Sequence, residues 1–280
     1  MRKQNKLKRL EIFAKRYIKA KKMALLPEKI EGRKSGPKVL LNSIPKAGTN
    51  LLDGYLQKLP PLRPSGTRTI IEWKDIPDKT VNKILSIKKG QYYIAHIPAH
   101  EKLLSALRSS DIKVLLIVRD PRAVVVSNFK YVLDIDVTHR THQYIKSLSN
   151  DRERLKACIV GKKSQNKDQK DILTPIDEIF KLFSGWTTLD NCLIIKFEDL
   201  VGERGGGNCN KQFETLKKIV DFLEINMSNN EINSIISKME NSSSPTLRSG
   251  KIDGWKKYFD ANMTKIIENQ LQDSAKVFGY

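Results

Sequence analysis

Four short aliphatic segments alternate along the chain with stretches that have helical periodicity. The aliphatic segments show little alternation of polar and apolar positions, which is typical of strands buried on both faces of a parallel sheet. They cover residues 39–43, 91–97, 113–119 and 192–197. Helical spacing of apolar residues occurs in residues 49–59, 101–108, 121–133, 176–183 and 211–223. The pattern predicts an α/β fold, a three-layer sandwich with a central parallel sheet.

The N-terminal segment has a different pattern. Apolar residues recur there at helical spacing, formed by Leu7, Leu10, Ala14, Tyr17 and Ile18. They predict an amphipathic helix that ends near Pro27, and residues 32–38, GRKSGPK, predict a linker. The chain is therefore expected to divide into an N-terminal extension, residues 1–38, and one domain, residues 39–280.

The extension is also strongly basic. Residues 1–38 contain 14 Lys and Arg against 3 Glu, which is +11 of the net charge of +20. Such a helix can dock on the domain through its apolar side, contact a membrane surface through residues 1–22, or bind a polyanion, and docking is the favoured reading. The remaining charge is spread over the domain and indicates an anionic ligand.

Composition narrows the class of protein. With 280 residues, 39% of them hydrophobic, the chain can bury a core. No apolar run approaches the roughly 18 residues of a membrane span, and no signal peptide is readable, so a cytoplasmic location is expected. Cys158, Cys192 and Cys209 match neither a disulfide framework nor a metal knuckle, which predicts reduced thiols. Residues 161–170 contain no apolar side chain and predict an exposed loop.

The first predicted strand runs into a turn of small residues and then a helix. Residues 44–50 read IPKAGTN. A small-residue turn at a helix N-terminus presents backbone N–H groups and the positive end of the helix dipole, which suits a phosphate or sulfate. Lys46 and Thr49 add a cation and a hydroxyl. Because the lysine precedes the glycine, this is not a Walker A loop, and an ordinary turn with a solvated lysine is the alternative.

A second anion-binding pattern follows the strand at residues 113–119. Asp120 suits the N-cap and Pro121 the first position of a helix, which leaves Arg119 at the mouth of that helix. Ser127 lies about two turns further along. Arg119 and Ser127 can together hold a phosphate, although an Arg-Asp pair alone is more often a structural ion pair. Two such patterns on neighbouring strands favour a ligand with two phosphate-like groups.

Five short motifs occur in order along the chain. They are PKAGTN at residues 45–50, HIP at 96–98, RDPR at 119–122 with Ser127, FEDL at 197–200 and RSGKIDGWK at 248–256. Together they resemble the motifs of the sulfotransferases that use 3′-phosphoadenosine 5′-phosphosulfate (PAPS). The resemblance covers about residues 39–280, and it is specific through the combination and order of motifs, each of which is weak alone.

The resemblance implies a set of site residues and a P-loop-like 5′-phosphosulfate loop in the sandwich fold. The cofactor-binding residues would be Lys46, Ala47, Gly48, Thr49, Asn50, Arg119, Ser127, Arg248, Ser249 and Gly250. His96 would be the catalytic base and Lys46 a second catalytic residue. No metal is expected, because the transferred sulfonate carries less charge than a phosphoryl group and the motifs contain no acidic pair.

The chain departs from the family pattern at several positions. Many members have Trp, which stacks on adenine, where this chain has Leu51. Relatives have Lys where Ile94 stands, two positions before the histidine. Ser249 replaces a common Lys, and Asp253 and Gly254 stand in inverted order. Adenine must therefore be held by other residues or less tightly, and one cation is missing from the expected 3′-phosphate site.

The function expected from the resemblance is transfer of a sulfonate group from PAPS to a hydroxyl acceptor. The acceptor is a small molecule or a glycan, with a carbohydrate preferred, and nucleic acid is not an expected partner. The predicted acceptor loops are residues 60–73, 133–149 and the loop at 161–170. Two alternatives are a nucleotide-dependent phosphotransferase and a non-catalytic protein that binds a polyanion or a membrane surface.

Two further patterns carry weaker predictions. His139 and His142 have no third metal ligand in view, which predicts solvated surface histidines. Residues 202–207, GERGGG, lack the spacing of a dinucleotide-binding motif and predict a flexible connection.

Overall fold

The computed structural model describes residues 2–164, 172–240 and 250–280. Its strands are β1 Lys38–Ser43, β2 Arg63–Pro64, β3 Ile70–Ile71, β4 Gln91–His96, β5 Ile112–Val118 and β6 Cys192–Lys196. Its helices are α1 Arg2–Met23, α2 Pro27–Ser35, α3 Thr49–Lys58, α4 Asp78–Leu85, α5 Glu101–Arg108, α6 Pro121–Lys130, α7 His142–Ser147, α8 Asp151–Val160, α9 Ile176–Ser184, α10 Phe197–Leu200, α11 Cys209–Phe222, α12 Asn229–Glu240 and α13 Ala261–Leu271. A π-helical turn, Tyr131–Ile135, extends α6.

The strands form one parallel sheet in the order β2-β4-β1-β5-β6, and β3 pairs with the end of β4. The four predicted strands are confirmed as β1, β4, β5 and β6. The two-residue strands β2 and β3 escape a sequence reading because they are too short to show a pattern. Each of the five predicted helices is also present, as α3, α5, α6, α9 and α11.

Helices cover both faces of the sheet, so the predicted three-layer sandwich is confirmed. On β1, Leu40 packs into one hydrophobic cluster while Val39 and Leu41 pack into the other. The first cluster includes side chains of α4 to α9 and α13, and the second those of α3, α10, α11 and α12. Burial on both faces is the reason that the strands lack polar alternation.

The N-terminal region is more ordered than its sequence predicts. The expected basic helix is α1, but residues 32–35, expected to belong to a linker, form the last turn of α2. Gly32 explains this, because a β-carbon at this position would lie 2.1 Å from the carbonyl oxygen of Pro61. Close packing of α2 on the domain therefore holds a segment whose composition is that of a linker. The division into residues 1–38 and 39–280 stays a prediction.

A buried lysine anchors α2. The ammonium of Lys29 donates hydrogen bonds to the carbonyl oxygens of Gln57, at 3.0 Å, and Leu59, at 2.5 Å. These carbonyls lie at the C-terminus of α3, the negative end of the helix dipole, where a cation is stabilised. The lysine thus fastens α2 to α3.

Lys29 provides a test of this anchor. Burial lowers the pKa of its ammonium from 10.5 to about 8, so between these values the unfolded chain holds a proton that the folded chain has released. We expect the unfolding free energy of the wild type, relative to Lys29→Met, to rise by about 1–2 kcal/mol from about pH 8 to about pH 10. Chemical denaturation of both proteins measures this. A difference that does not change with pH would contradict the buried position.

Two other predictions concern the exposed loop at residues 161–170 and the absence of a membrane-spanning helix. Residues 165–170 of the predicted exposed loop lie outside the described residues, and Lys162 beside them pairs with Leu173 in an antiparallel bridge. In the described part of the chain, no helix combines the length and the apolar character that crossing a membrane requires.

Candidate functional site

Three neighbouring strands bring the predicted site segments together. In the order β4-β1-β5, Asn42 pairs with Ala95 and Ser43 pairs with Ile117. His96 at the end of β4, the loop of residues 44–50 after β1 and Arg119 after β5 therefore lie along one edge of the sheet. This is the carboxyl edge, where open parallel sheets bind ligands.

The backbone of the loop after β1 is shaped for close approach. Gly48 is the N-cap of α3 and has φ 110°, which glycine adopts without steric cost. A β-carbon there would lie 2.5 Å from the ring of Phe197. Ala47 is buried, Thr49 is half-buried and Asn50 is exposed. Because the first N–H groups of a helix lack partners within the helix, the N-terminus of α3 offers donors to an anion.

A hydrogen-bond network joins His96 to this loop. Nδ1 of His96 lies 3.0 Å from the carbonyl oxygen of Ser43 and 3.1 Å from its hydroxyl, and that hydroxyl lies 2.6 Å from Oγ1 of Thr49. Since a carbonyl oxygen only accepts, Nδ1 carries the proton and Nε2 keeps a free lone pair. Burial is the main cause that lowers the pKa of His96, and the nearby Lys46 adds to it. The imidazole is therefore neutral at neutral pH, as a base must be.

Lys46 combines a left-handed backbone conformation with a partly buried ammonium group. Its backbone has φ 72°, and its ammonium lies 3.6 Å from the ring centre of Tyr131. Burial, followed by repulsion from Arg119, lowers the pKa of Lys46 to about 8, against the attraction of Asp136. Two cations thus influence one another at this edge of the sheet, and an anionic ligand would relieve their repulsion.

Arg119 is buried, with 8% of its surface exposed. Its guanidinium stacks on the ring of Phe197 at 4.1 Å, and Nη2 donates to the carbonyl oxygen of Lys251 at 3.0 Å. Nε is buried and has no hydrogen-bond partner among the described residues. An unpartnered buried donor on a cation is costly, so it fits a site that an anion completes.

The second arginine of the RDPR motif has a structural contact instead. Asp120 caps α6 by accepting from the backbone N–H of Arg122, as the sequence predicts, and its carboxylate also binds the Arg122 guanidinium. That guanidinium stacks on Trp255 at 4.0 Å. Glu198 of the FEDL motif accepts from the backbone N–H of Asp120 at 3.0 Å and from the hydroxyl of Tyr280. These contacts position the start of α6 beside Arg119.

The structure describes only some of the remaining predicted site residues. Ser127 is half-buried on α6. Gly250 adjoins Lys251, whose carbonyl oxygen binds Arg119, so the C-terminal motif does reach this site. Arg248 and Ser249 lie outside the described residues. The described residues contain no group of three metal-ligating side chains, and chemistry without a metal stays a prediction.

Two of the departures from the family pattern, at Leu51 and Ile94, have structural counterparts. Leu51 is buried in the hydrophobic cluster of α3, α11 and α12, which leaves adenine contacts to other residues. Ile94 is half-buried and packs against the same cluster. It supplies no cation beside His96.

One prediction outside the site is wrong, one agrees with the structure, and the flexibility predicted for residues 202–207 stays a prediction. His142 is buried rather than solvated, with Nδ1 2.8 Å from the carbonyl oxygen of Val132, so it fastens α7 to the π-helical turn. His139 is half-buried beside Thr141. Residues 202–207 connect α10 to α11 through a single turn of 3₁₀ helix. The three cysteines are free, as expected.

Sequence reasoning missed three contacting residues. Ser43 binds His96, Tyr131 covers Lys46 and Phe197 stacks on Arg119. A signal existed for Tyr131, which lies four positions after Ser127 and so on the same side of the helix. No such signal marks Ser43, because its role depends on the pairing of β1 with β4.

Comparisons with known proteins identify the family and the fold. The model of the sulfotransferase domain family matches residues 36–279. Sulfotransferase 2A6 of Mus musculus is 22% identical over 270 residues, covering 86% of this chain and 85% of the relative. The crystal structure of mouse sulfotransferase SULT7A1 complexed with PAP has the same fold, with a TM-score of 0.58 at 17% identity, covering 92% of this chain and 95% of that one. Since the family match spans most of the chain, this protein belongs to the sulfotransferase domain family and is a sulfotransferase.

Proposed function

We propose that this sulfotransferase moves a sulfonate group from PAPS to a hydroxyl acceptor, with His96 as the base. The observation that carries the proposal is the pair of cations at the carboxyl edge of the sheet. Lys46 repels Arg119, and the buried Nε of Arg119 has no partner in the described part of the chain. A donor with phosphate groups at two separate positions would satisfy both.

The residues present fit such a donor. The N-terminus of α3, with Gly48, Thr49 and Asn50, would hold the 5′-phosphosulfate, and Arg119, Ser127 and Gly250 would hold the 3′-phosphate. When bound, PAPS supplies a sulfonate group activated by its bond to a phosphate. On the basis of the sequence motif, Arg248 and Ser249 are also proposed to contact the 3′-phosphate.

His96 is suited to remove the acceptor proton. Its Nδ1–H is held by the carbonyl oxygen of Ser43, which fixes the ring and leaves the Nε2 lone pair for the hydroxyl proton. Its lowered pKa keeps that lone pair available at neutral pH. The imidazolium that forms lies beside the Ser43 carbonyl, whose dipole stabilises it.

Lys46 is suited to stabilise negative charge on the leaving phosphate oxygen. Lys46 lies in the loop between Ser43, the last residue of β1, and the N-terminus of α3, and its backbone has a positive φ. With a pKa of about 8, its ammonium is mostly charged at neutral pH. A fixed cation in a partly buried site stabilises charge more effectively than one in water.

For the acceptor we keep a carbohydrate hydroxyl as the proposal, on an enzyme that works in the cytoplasm without nucleic acid as a partner. The support is the basic character of the domain, which suits an anionic glycan. For the predicted acceptor loops, the support is that residues 60–73 contain Ile71, which pairs with His96, and that residues 133–149 begin in the π-helical turn whose Tyr131 covers Lys46.

Calorimetric titration with adenosine 3′,5′-bisphosphate tests the proposed donor, with AMP and ATP as controls that lack the 3′-phosphate. We expect micromolar affinity for the bisphosphate and binding at least about tenfold weaker for the controls. Labelled PAPS is then offered with a panel of oligosaccharides, phenols and sterols. Equal or tighter binding of ATP would overturn the proposal in favour of nucleotide-dependent phosphotransfer, and transfer only to phenols or sterols would reject the carbohydrate acceptor.

Tyr131 is expected to affect turnover through its contact with the ammonium of Lys46. The ring face that covers the ammonium at 3.6 Å is kept in Tyr131→Phe and lost in Tyr131→Leu. A cation–π contact in a partly buried site contributes about 1–2 kcal/mol, so we expect turnover to fall about 5–30-fold in the leucine variant and little in the phenylalanine variant. Affinity for adenosine 3′,5′-bisphosphate should stay within a few-fold in both. Equal losses in the two variants would instead assign the effect to the hydroxyl.

A further inference from the structure

The hairpin formed by α1 and α2 exposes aliphatic side chains. Leu25, in the turn between the helices, is 74% exposed, and Leu26 is 42% exposed. Ile18, two helical turns before Leu25, is 52% exposed, and Ile30, one turn after Leu26, is 44% exposed. Leu25 and Leu26 lie at the turn itself, and Ile18 and Ile30 lie on the two helices that it joins, so this part of the chain exposes four large aliphatic side chains to water.

This turn is held in place by the rest of the protein. Lys29 is buried against the end of α3, and Gly32 packs on Pro61. The guanidinium of Arg33 donates to the carbonyl oxygen of Ala24 at 2.6 Å, which ties α2 back to the end of α1. On α1, Ala20 is buried and lies against Gly66. Helix α1 thus contacts the domain through Ala20 and Tyr17, which lie against Gly66, whereas Ala14 and Ile18 of its predicted apolar side are exposed. Docking through that apolar side stays a prediction.

The same two helices carry many exposed basic side chains. Exposed basic residues of the hairpin are Lys15, Arg16, Lys19, Lys21, Lys22, Arg33 and Lys34. Two of the three nearby glutamates, Glu11 and Glu31, form ion pairs with Lys15 and Lys34, which leaves the hairpin with a clear positive excess.

We infer that the α1–α2 hairpin docks on an anionic lipid membrane, with Leu25 and Leu26 among the acyl chains and the basic side chains on the headgroups. Aliphatic insertion and a basic patch are the two signals that together give stable peripheral attachment. Charge alone would serve a polyanion such as a nucleic acid, but then the exposed leucines would have no role. The inference does not depend on the proposed donor or acceptor.

Vesicle co-sedimentation with the full chain tests this inference. We expect binding to vesicles of phosphatidylcholine with phosphatidylglycerol, at least about tenfold weaker binding to phosphatidylcholine alone, and weakening by salt. The double variant Leu25→Ser and Leu26→Ser should lose at least about tenfold in affinity for the anionic vesicles. Neutralising Arg16, Lys19 and Lys22 with glutamine should have a similar effect.

The chain offers a matched control. Leu85 is also an exposed leucine and has the exposed lysines Lys83, Lys88 and Lys89 near it in the sequence. Leu85→Ser should bind anionic vesicles as the wild type does. Failure of the wild type to bind vesicles would overturn the inference, and so would unchanged binding by the double leucine variant, which would indicate a polyanion site. Unfolding curves of the variants verify that the exposed substitutions leave the fold intact.

Discussion

Replacing His96 with alanine is expected to lower turnover about 10²–10⁴-fold, the usual contribution of a general base. The expected cause is loss of the Nε2 lone pair that would accept the acceptor proton, while the loop after β1 keeps its form. Affinity for adenosine 3′,5′-bisphosphate should therefore change by no more than a few-fold. The measurement is transfer from labelled PAPS to the acceptor found in the panel, alongside titration with the bisphosphate.

His96→Asn separates chemistry from structure. An asparagine amide can still donate to the carbonyl oxygen of Ser43, as Nδ1 of His96 does at 3.0 Å, but it cannot act as a base. We expect it to be as inactive as the alanine variant. If it retained most of the activity, His96 would be a structural residue and the proposed mechanism would be wrong.

The pH profile of the wild type gives a second check on the same residues. Burial lowers the pKa of His96 in the free enzyme, so the acidic limb of the kcat/KM profile should lie below the usual value of 6.5. The pKa of Lys46 is about 8, so activity should fall again as the ammonium loses its proton above that pH. The acidic limb should be absent from the residual activity of His96→Ala.

Arg119→Ala is expected to weaken binding of adenosine 3′,5′-bisphosphate about 10–100-fold, since a hydrogen bond to a charged group contributes about 1.5–3 kcal/mol. Binding of AMP should change much less, because AMP lacks the 3′-phosphate. Calorimetric titration of both nucleotides measures the contrast. Equal losses for the two would show that the substitution disturbs the whole site through Phe197 or Lys251.

Arg122→Ala is the matched control within the same motif. Its guanidinium is already bound to Asp120 and stacked on Trp255, so we expect bisphosphate affinity within a few-fold of the wild type. Arg119→Lys adds a finer distinction. Lysine keeps the charge but lacks the planar fork, and an intermediate affinity is expected.

The local sequence pattern was sufficient to predict those elements whose residues all lie in the same environment, buried or exposed. The main strands are buried on both faces, and their unbroken aliphatic runs identify them. Helix α2 is different, because its residues read as a polar linker. It is held by the buried ammonium of Lys29 and the close approach of Gly32 to Pro61, and contacts between distant segments leave no periodic trace in the sequence.

The site shows the same division. The order of motifs singled out the loop at residues 44–50, His96 and Arg119 as candidate site residues, and the parallel strands implied that these segments meet at one edge, which the structure shows. The contacts of Ser43 and Phe197 were not predictable, since each joins residues that are distant in sequence, and Tyr131 was marked only by its position four residues after Ser127. The prediction for His142 was wrong for a related reason, because its hydrogen bond to Val132 forms only when α7 packs against the π-helical turn.

The left-handed backbone at Lys46 has a consequence for stability. A side chain at φ 72° carries a steric cost of about 1–2 kcal/mol that glycine avoids. Lys46→Gly should therefore remove activity without lowering the melting temperature, whereas most substitutions in a packed loop lower both. In the proposed mechanism the charge of Lys46 is therefore held in place at a cost in thermal stability.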